Sequence, residues 1–257
     1  MKVVILAGGF GTRLAEETDL RPKPLVEIGG KPILWHIMKI YEAAGHTDFI
    51  ICCGYKGQMI KHYFVNYFME NYDITVDLAA NSVEFRNEPT EKWKVTLVDT
   101  GADTMTGGRL KRVAHLVGKE TFCLTYGDGV AALDINAVVE FHKKSAKVAT
   151  ITAVPSPGRF GAMSLSENGH VDSFQEKPAN EMGMINGGFF VLEPKIFDYI
   201  KGDETVWERD PLEKLTAANE LAAYQHHGFW RPMDTLRDKR ELEDMWASGK
   251  APWKVWP

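Results

Sequence analysis

The chain opens on MKVVILAGGFGTRL, in which an apolar run over 3–6 meets Gly8, Gly9 and Gly11 almost at once. A continuous apolar run has no polar alternation to offer to solvent. It fits a parallel strand near the middle of a sheet, with helices on both faces. The run is about half the length of a secretory leader's apolar region and leads into glycines and Arg13, which favours a buried strand. Glycines directly after such a strand let backbone N–H groups approach a phosphate closely. Taken alone, they serve equally well as a tight turn.

The rest of the first half repeats the theme. After Pro32, the residues Ile33, Leu34, Ile37, Ile40, Tyr41 and Ala44 share one helical face, and Gly45 closes the helix. A second apolar strand is predicted over 49–53. After Gly57 a second helical stripe follows, made of Ile60, Tyr63, Phe64, Tyr67 and Phe68. Strands over 95–98 and 122–125 flank a helical stripe of Leu110, Val113, Ala114 and Val117. This alternation predicts an α/β fold whose sheet is at least partly parallel. Beyond about residue 145 the texture becomes α+β, with short strands over 148–154, 163–165, 170–174 and 187–192. A last helix over 236–246 leads into the tail SGKAPWKVWP. The expectation is one continuous domain with a soft division into 1–145 and 146–257.

A chain of 257 residues, 44% hydrophobic and 25% charged, can bury a sizeable core, which excludes a disordered or low-complexity protein. Thirty basic against thirty-five acidic residues give a net charge of −5, which argues against nucleic acid and acidic membranes as partners while leaving room for a small polyanion. The apolar stretches are strand-sized, so no membrane span is expected. Cys52, Cys53 and Cys123 cannot all pair, and read as core thiols of a reduced, cytoplasmic protein.

The glycine cluster can be tested against two rival motifs. The dinucleotide fingerprint GxGxxG is matched at Gly9 and Gly11, but Leu14 occupies its third position and would obstruct close helix packing. No tyrosine is followed four residues later by lysine, as a short-chain reductase requires, and the phosphate loop GxxxxGK is absent. The segment offers instead Arg13, a permanent cation with a fork of donors suited to phosphate oxygens. Lys23 lies between Pro22 and Pro24, which stiffen its backbone and preorganise a second cation. Asp128, between two glycines after an apolar strand, belongs at a carboxyl edge of the sheet, where open α/β folds bind ligands. His226 and His227 lack a metal-site pattern and read as strand packing or solvent exposure.

Taken in order, LAGGFGTRL, RPKPLVEIGGKPIL, YGDGV, FQEKP, INGGFFVLEP and GFWRPMDT resemble the sugar nucleotidylyltransferase family along nearly the whole chain. Within that family the opening GGFGTRLAEET, the segment DTGADTMTGGRLKR and the ending FWRPMDTLRDKRELEDMW are similar to the branch that uses CTP and glucose 1-phosphate.

The resemblance implies a Rossmann-like mixed, mostly parallel sheet flanked by helices, with 1–145 as the nucleotide-binding part and 146–257 as a smaller α+β sugar-binding part. The implied enzyme is a Mg2+-dependent nucleotidyltransferase that joins CTP to α-D-glucose 1-phosphate, giving CDP-glucose and pyrophosphate, in bacterial O-antigen lipopolysaccharide biosynthesis. On this reading Leu6, Ala7, Gly8, Gly9, Gly11, Thr12 and Arg13 wrap the triphosphate, and Lys23 holds its α-phosphate, with Arg13 and Lys23 catalytic. Asp128 and Asp234 bind Mg2+. Lys177 meets the sugar phosphate, Asn186 and Gly187 line the sugar pocket, and Thr104 and Arg109 read cytosine. Relatives are oligomeric, so a homo-oligomer is implied, with Trp246, Trp253 and Trp256 covering either their own domain or a neighbouring subunit. The rivals are a UTP- or dTTP-using enzyme of the same chemistry, an NAD-dependent reductase, and a sensor that binds sugar nucleotides without turnover.

Overall fold

The computed structural model describes residues 1–86, 90–156, 162–165, 171–175 and 183–257, with the side chains of Arg13, Ala15 and the segments 162–165 and 171–175 left aside. Seven strands form the main sheet: β1 (Lys2–Ala7), β2 (Asp48–Cys53), β3 (Lys94–Asp99), β4 (Phe122–Tyr126), β5 (Ala149–Pro155), β6 (Met184–Leu192) and β7 (Leu221–Gln225). Their order is β7-β5-β6-β4-β1-β2-β3. Every neighbouring pair is parallel except those made by β6, which runs antiparallel to both β4 and β5. This is the mixed, mostly parallel sheet the sequence predicts.

The apolar run at the N-terminus takes the central position for a visible reason. Val3, Ile5 and Ala7 enter one core cluster, and Val4 and Leu6 enter the other on the opposite face of the sheet. The first cluster receives Ile33, Leu34, Ile37, Ile40 and Tyr41 of helix α1 (Ile33–Ala43). The second receives Leu110 of α2 (Thr106–Arg112), together with Trp207 and Leu215. Burying both faces at roughly 25 cal/mol per Å² is what makes an unbroken apolar strand worth its composition. Adjacent Cys52 and Cys53 divide between the two clusters, and all three cysteines are free and buried.

The order also creates a switch point. From β1 the chain goes to β2 and β3 on one side, and then crosses back to β4 on the other. The crevice outside the carboxyl ends of β1 and β4 is therefore where an open α/β sheet takes its ligand. The segments that leave those two ends are the glycine cluster and Gly127–Asp128.

The tail folds onto its own chain. Trp253 is fully buried, and Trp246, Trp253, Trp256 and Trp35 surround the ring of His36. Trp253 Nε1 donates to His36 Nδ1 at 3.3 Å, and His36 Nε2 donates to the Ile28 carbonyl at 2.9 Å, so the ring sits neutral between them. Burial pushes the His36 pKa down from 6.5 to about 4. The sign follows: the unfolded chain takes up this proton first, so the stabilisation is complete above about pH 6.5 and is lost as pH falls toward 4. Urea unfolding at pH 7 and pH 4.5 is expected to show a loss on the order of 3 kcal/mol from this group, flattened in His36→Gln. An equal slope in the variant would assign the acid sensitivity elsewhere.

Among the described residues no helix is long and apolar enough to cross a membrane. His226 is buried with its ring against the Phe229 carbonyl, and His227 is exposed.

Candidate active site

The glycine segment turns sharply out of β1. Gly11 adopts φ +67°, where a side chain would be strained and its Cβ would meet Thr18 Cγ2 at 2.7 Å. The turn is closed by Leu14 N–H to Gly11 O at 3.0 Å and Thr18 Oγ1 to the same carbonyl at 3.1 Å. A Cβ on Gly9 would meet nothing within 4 Å, so its backbone stays bare toward open space. Only a 3₁₀ turn (Thr12–Leu14) and a four-residue helix (Ala15–Thr18) follow. A helix dipole therefore adds little here, and the bare backbone amides are what the segment can offer an anion. Leu14 is fully buried, filling the place where a dinucleotide fold wants glycine.

Gly8 has a different reason to lack a side chain. Its Cβ, and that of Gly54, would stand inside the guanidinium of Arg109. Arg109 is 5% exposed, and its Nη2 donates to Gly8 O at 3.1 Å and Ala102 O at 3.0 Å. Its Nη1 donates to Thr100 Oγ1 at 2.8 Å, Gly101 O at 2.6 Å and Cys53 O at 3.3 Å. One side chain thus fastens the glycine turn to the end of β2 and to the turn after β3. The guanidinium donates mainly to backbone carbonyls, and in this structure that is its observed work.

Opposite the turn, Lys23 sits in a 3₁₀ turn (Lys23–Leu25) and is 9% exposed. Its ammonium donates to Asp128 Oδ2 at 2.7 Å and Asp234 Oδ1 at 2.8 Å. The two aspartates, far apart in sequence, meet through a short ladder in which Gly129–Ala131 pairs antiparallel with Trp230–Pro232. Met233 N–H then donates to Asp128 O at 2.8 Å. The helix that follows, α3 (Leu236–Ala247), is capped by Thr235 in a reciprocal box with Asp238, so capping does not consume the Asp234 carboxylate. Burial works against the charge of Lys23, but the Asp128 and Asp234 carboxylates outweigh it and hold its pKa above the ordinary value.

These parts enclose one cavity of about 500 Å³, lined by Leu6, Ala7, Gly8, Gly9, Gly11, Thr12, Lys23, Thr104, Arg109 and Asp128 among others. The sequence profile of the family described as Nucleotidyl transferase matches residues 2–236. The chain belongs to that family.

This nucleotidyl transferase is 60% identical over 257 residues, all of both chains, to the glucose-1-phosphate cytidylyltransferase of Salmonella typhi. It is also similar to the crystal structure of HddC from Yersinia pseudotuberculosis, with TM-score 0.69 and 26% identity over 95% of this chain and 99% of that one. The UDP-glucose pyrophosphorylase structure complexed with UDP-glucose shares the fold, with TM-score 0.67 and 17% identity over 96% and 98% of the two chains.

The remaining expected residues divide. Asn186 and Gly187 lie on β6 beside the cavity: Asn186 Nδ2 donates to Tyr126 Oη at 3.2 Å, and Gly187 O accepts from Trp230 Nε1 at 2.7 Å. Lys177 lies outside the described residues, as does the Arg13 side chain, although the Arg13 backbone follows the glycine turn. Sequence reading missed Tyr126 and Glu208. Tyr126 lines the cavity at the end of β4 and donates to Glu208 Oε1 at 2.6 Å, while Glu208 Oε2 accepts from Thr106 Oγ1 at 2.7 Å. Burial, then the Glu208 charge, raises the Tyr126 pKa and keeps the hydroxyl a donor. Its place just before Gly127 and Asp128 could have marked it. Glu208 is brought in by tertiary folding alone.

Proposed function

We propose that this chain is a glucose-1-phosphate cytidylyltransferase, joining CTP to α-D-glucose 1-phosphate to give CDP-glucose and pyrophosphate. One observation carries the reading. At the mouth of a glycine-turn cavity a buried lysine is held between two aspartates, in a chain 60% identical from end to end to a relative bearing that name.

The chemistry accounts for the residue types. The second pKa of a phosphate ester is about 6, so the sugar phosphate is mostly dianionic near neutral pH and needs neither a protein nucleophile nor a strong base. Repulsion between this dianion and the triphosphate is the obstacle, and fixed cations with in-line positioning are the remedy. The bare backbone around Gly9 and Gly11 cradles the triphosphate, Arg13 and Lys23 meet its charge, and Lys177 meets the sugar phosphate. A sugar phosphate oxygen forms its bond to the α-phosphorus as the bond to the pyrophosphate oxygen breaks. Asn186, Gly187 and Tyr126 face the sugar, and Thr104 lies on the base side with Arg109 behind it.

The donor set fits a divalent cation. Two hard carboxylates converge on one position already chosen by a positive group, and Mg2+ is commonly held by one or two carboxylates with waters and phosphate oxygens completing the octahedron. When bound by Asp128 and Asp234, Mg2+ supplies charge neutralisation on the reacting phosphates.

The proposal extends to the setting. Three free, buried thiols suit a reducing cytoplasm. Assembly with copies of itself is supported by the hairpin Ile74–Asp77 and Ser82–Phe85, which leaves Ile74, Val76, Leu78, Val83 and Phe85 exposed, since a lone two-stranded hairpin is marginal in water.

A triphosphate panel tests the reading. With glucose 1-phosphate and Mg2+, pyrophosphate release from CTP should exceed that from UTP or dTTP by at least about tenfold, a difference of about 1.4 kcal/mol in transition-state binding. Equal rates would remove the cytidine assignment and keep the reaction class. Binding without turnover would favour a sensor.

A further inference from the structure

We infer that Glu208 is a positioning residue for the sugar side of the cavity: its carboxylate takes the hydroxyl protons of Tyr126 and Thr106 together, and so fixes which way the Asn186 amide faces. The inference rests on the reading of the site given above, and deepens it by adding a residue that acts on sugar recognition through its neighbours.

The direction of the hydrogen bonds carries it. Tyr126 Oη donates to Glu208 Oε1 at 2.6 Å, and Thr106 Oγ1 donates to Glu208 Oε2 at 2.7 Å. A carboxylate only accepts and each hydroxyl has one proton, so both directions are forced. With its proton committed to Glu208, Tyr126 can only accept from Asn186, whose Nδ2 stands 3.2 Å away. The other end of the same amide agrees, since Asn186 Oδ1 accepts from Gly188 N–H at 2.7 Å. A flipped amide would set oxygen against oxygen at Tyr126 and N–H against N–H at Gly188. Among the described residues this leaves Asn186 one N–H to offer a ligand. A charge two hydrogen bonds away thereby makes that wall a donor.

The packing holds every member of this chain except the protons. Gly188 adopts φ +80°, and a Cβ there would meet Tyr126 Cδ2 at 2.6 Å, so the tyrosine ring fills the space of the missing side chain. The ring also meets Phe190 edge-on, with centroids 6.0 Å apart. Phe190 in turn packs at 5.6 Å on Trp207, which is fully buried and anchors the residue next to it, Glu208. Asn186 lies beside a register shift between β5 and β6, at Ile151 and Ala153, a device that re-aims side chains next to sites. The other arm of the carboxylate reaches the far side of the cavity. Thr106 ends the lining segment 102–106 and accepts from Trp207 N–H at 2.9 Å. Glu208 itself is exposed, so its removal strands no buried charge and the fold should survive it.

Steady-state kinetics with CTP and Mg2+ test this, using glucose 1-phosphate and its 2-, 3-, 4- and 6-deoxy analogues as probes. Glu208→Gln keeps the size of the side chain, but its amide can receive only one of the two hydroxyl protons. The KM for glucose 1-phosphate is expected to rise about tenfold, with kcat changed by less than about threefold. Tyr126→Phe should behave alike, and the double variant should be no worse than either single one, because both break the same link. Asn186→Ala identifies the sugar hydroxyl that the amide meets, as the position where discrimination against the deoxy analogue disappears. Glu208→Gln should weaken discrimination at that position and leave the others as in wild type, which a merely structural loss would not do. An unchanged KM in Glu208→Gln, additive losses in the double variant, or a uniform loss across the deoxy analogues overturns the inference alone. Absence of turnover by the wild type with any triphosphate would overturn the functional reading, and this inference with it.

Discussion

Replacing Asp128 or Asp234 by asparagine is expected to lower turnover by about a hundredfold or more, the scale seen when one preorganised charge-stabilising group is removed from a reacting centre. Both carboxylates converge on Lys23, so each substitution acts twice. It removes a hard oxygen donor from the pair, and it leaves the lysine tied to the remaining carboxylate. Because the two act as a unit, the double variant should fall little further than either single one. The check is pyrophosphate release at saturating CTP and glucose 1-phosphate, alongside circular dichroism to show an intact fold. Near-normal turnover in either folded variant would remove the metal role assigned to that aspartate. Lys23→Ala should also lose at least about tenfold, since it takes away the cation meant for the α-phosphate.

The second large effect is on stability. Arg109→Leu is expected to destabilise the protein by about 3 kcal/mol or more, because buried carbonyls left without partners each carry a desolvation cost. The affected acceptors are Gly8 O, Cys53 O, Gly101 O and Ala102 O, together with the Thr100 hydroxyl. For a chain of this size the loss corresponds to a fall of about 6–12 °C in melting temperature. Arg109→Lys should rescue little, since an ammonium cannot span the acceptors that a planar fork reaches. Differential scanning calorimetry of both variants without ligand is the measurement. An unchanged melting temperature would mean that Arg109 serves the nucleotide alone, with the carbonyl contacts incidental.

Gly8 shows where sequence reading stops short. A glycine after the first strand is correctly read as needing no side chain, and the reason supplied by the pattern is the approach of a phosphate. In the folded protein its Cα side is filled by Arg109, while the neighbouring Gly9 is the one left open. The two glycines are alike in the pattern because a sequence records only the absence of a side chain, not which neighbour occupies the space. The terminal tryptophans repeat the lesson. Their composition announced a surface to be covered, but that surface was found only when α1 and the tail met at His36.

What the chain determined on its own was whatever rests on local order along the backbone. The apolar run over 3–6 could satisfy itself only between two covering layers, Gly11 could hold a left-handed turn, and Pro22 and Pro24 stiffened Lys23 before any tertiary contact formed. The ordered series of short motifs named the family for the same reason. The tertiary structure alone decided how distant groups share charge: it drew Asp234 to Asp128 through a three-residue ladder, set Lys23 between them, and committed Arg109 to carbonyls of the glycine turn, the end of β2 and the turn after β3. Such pairings depend on where strand ends converge in space, and electrostatic and hydrogen-bond energies fall off too steeply with distance for spacing along a chain to reveal them.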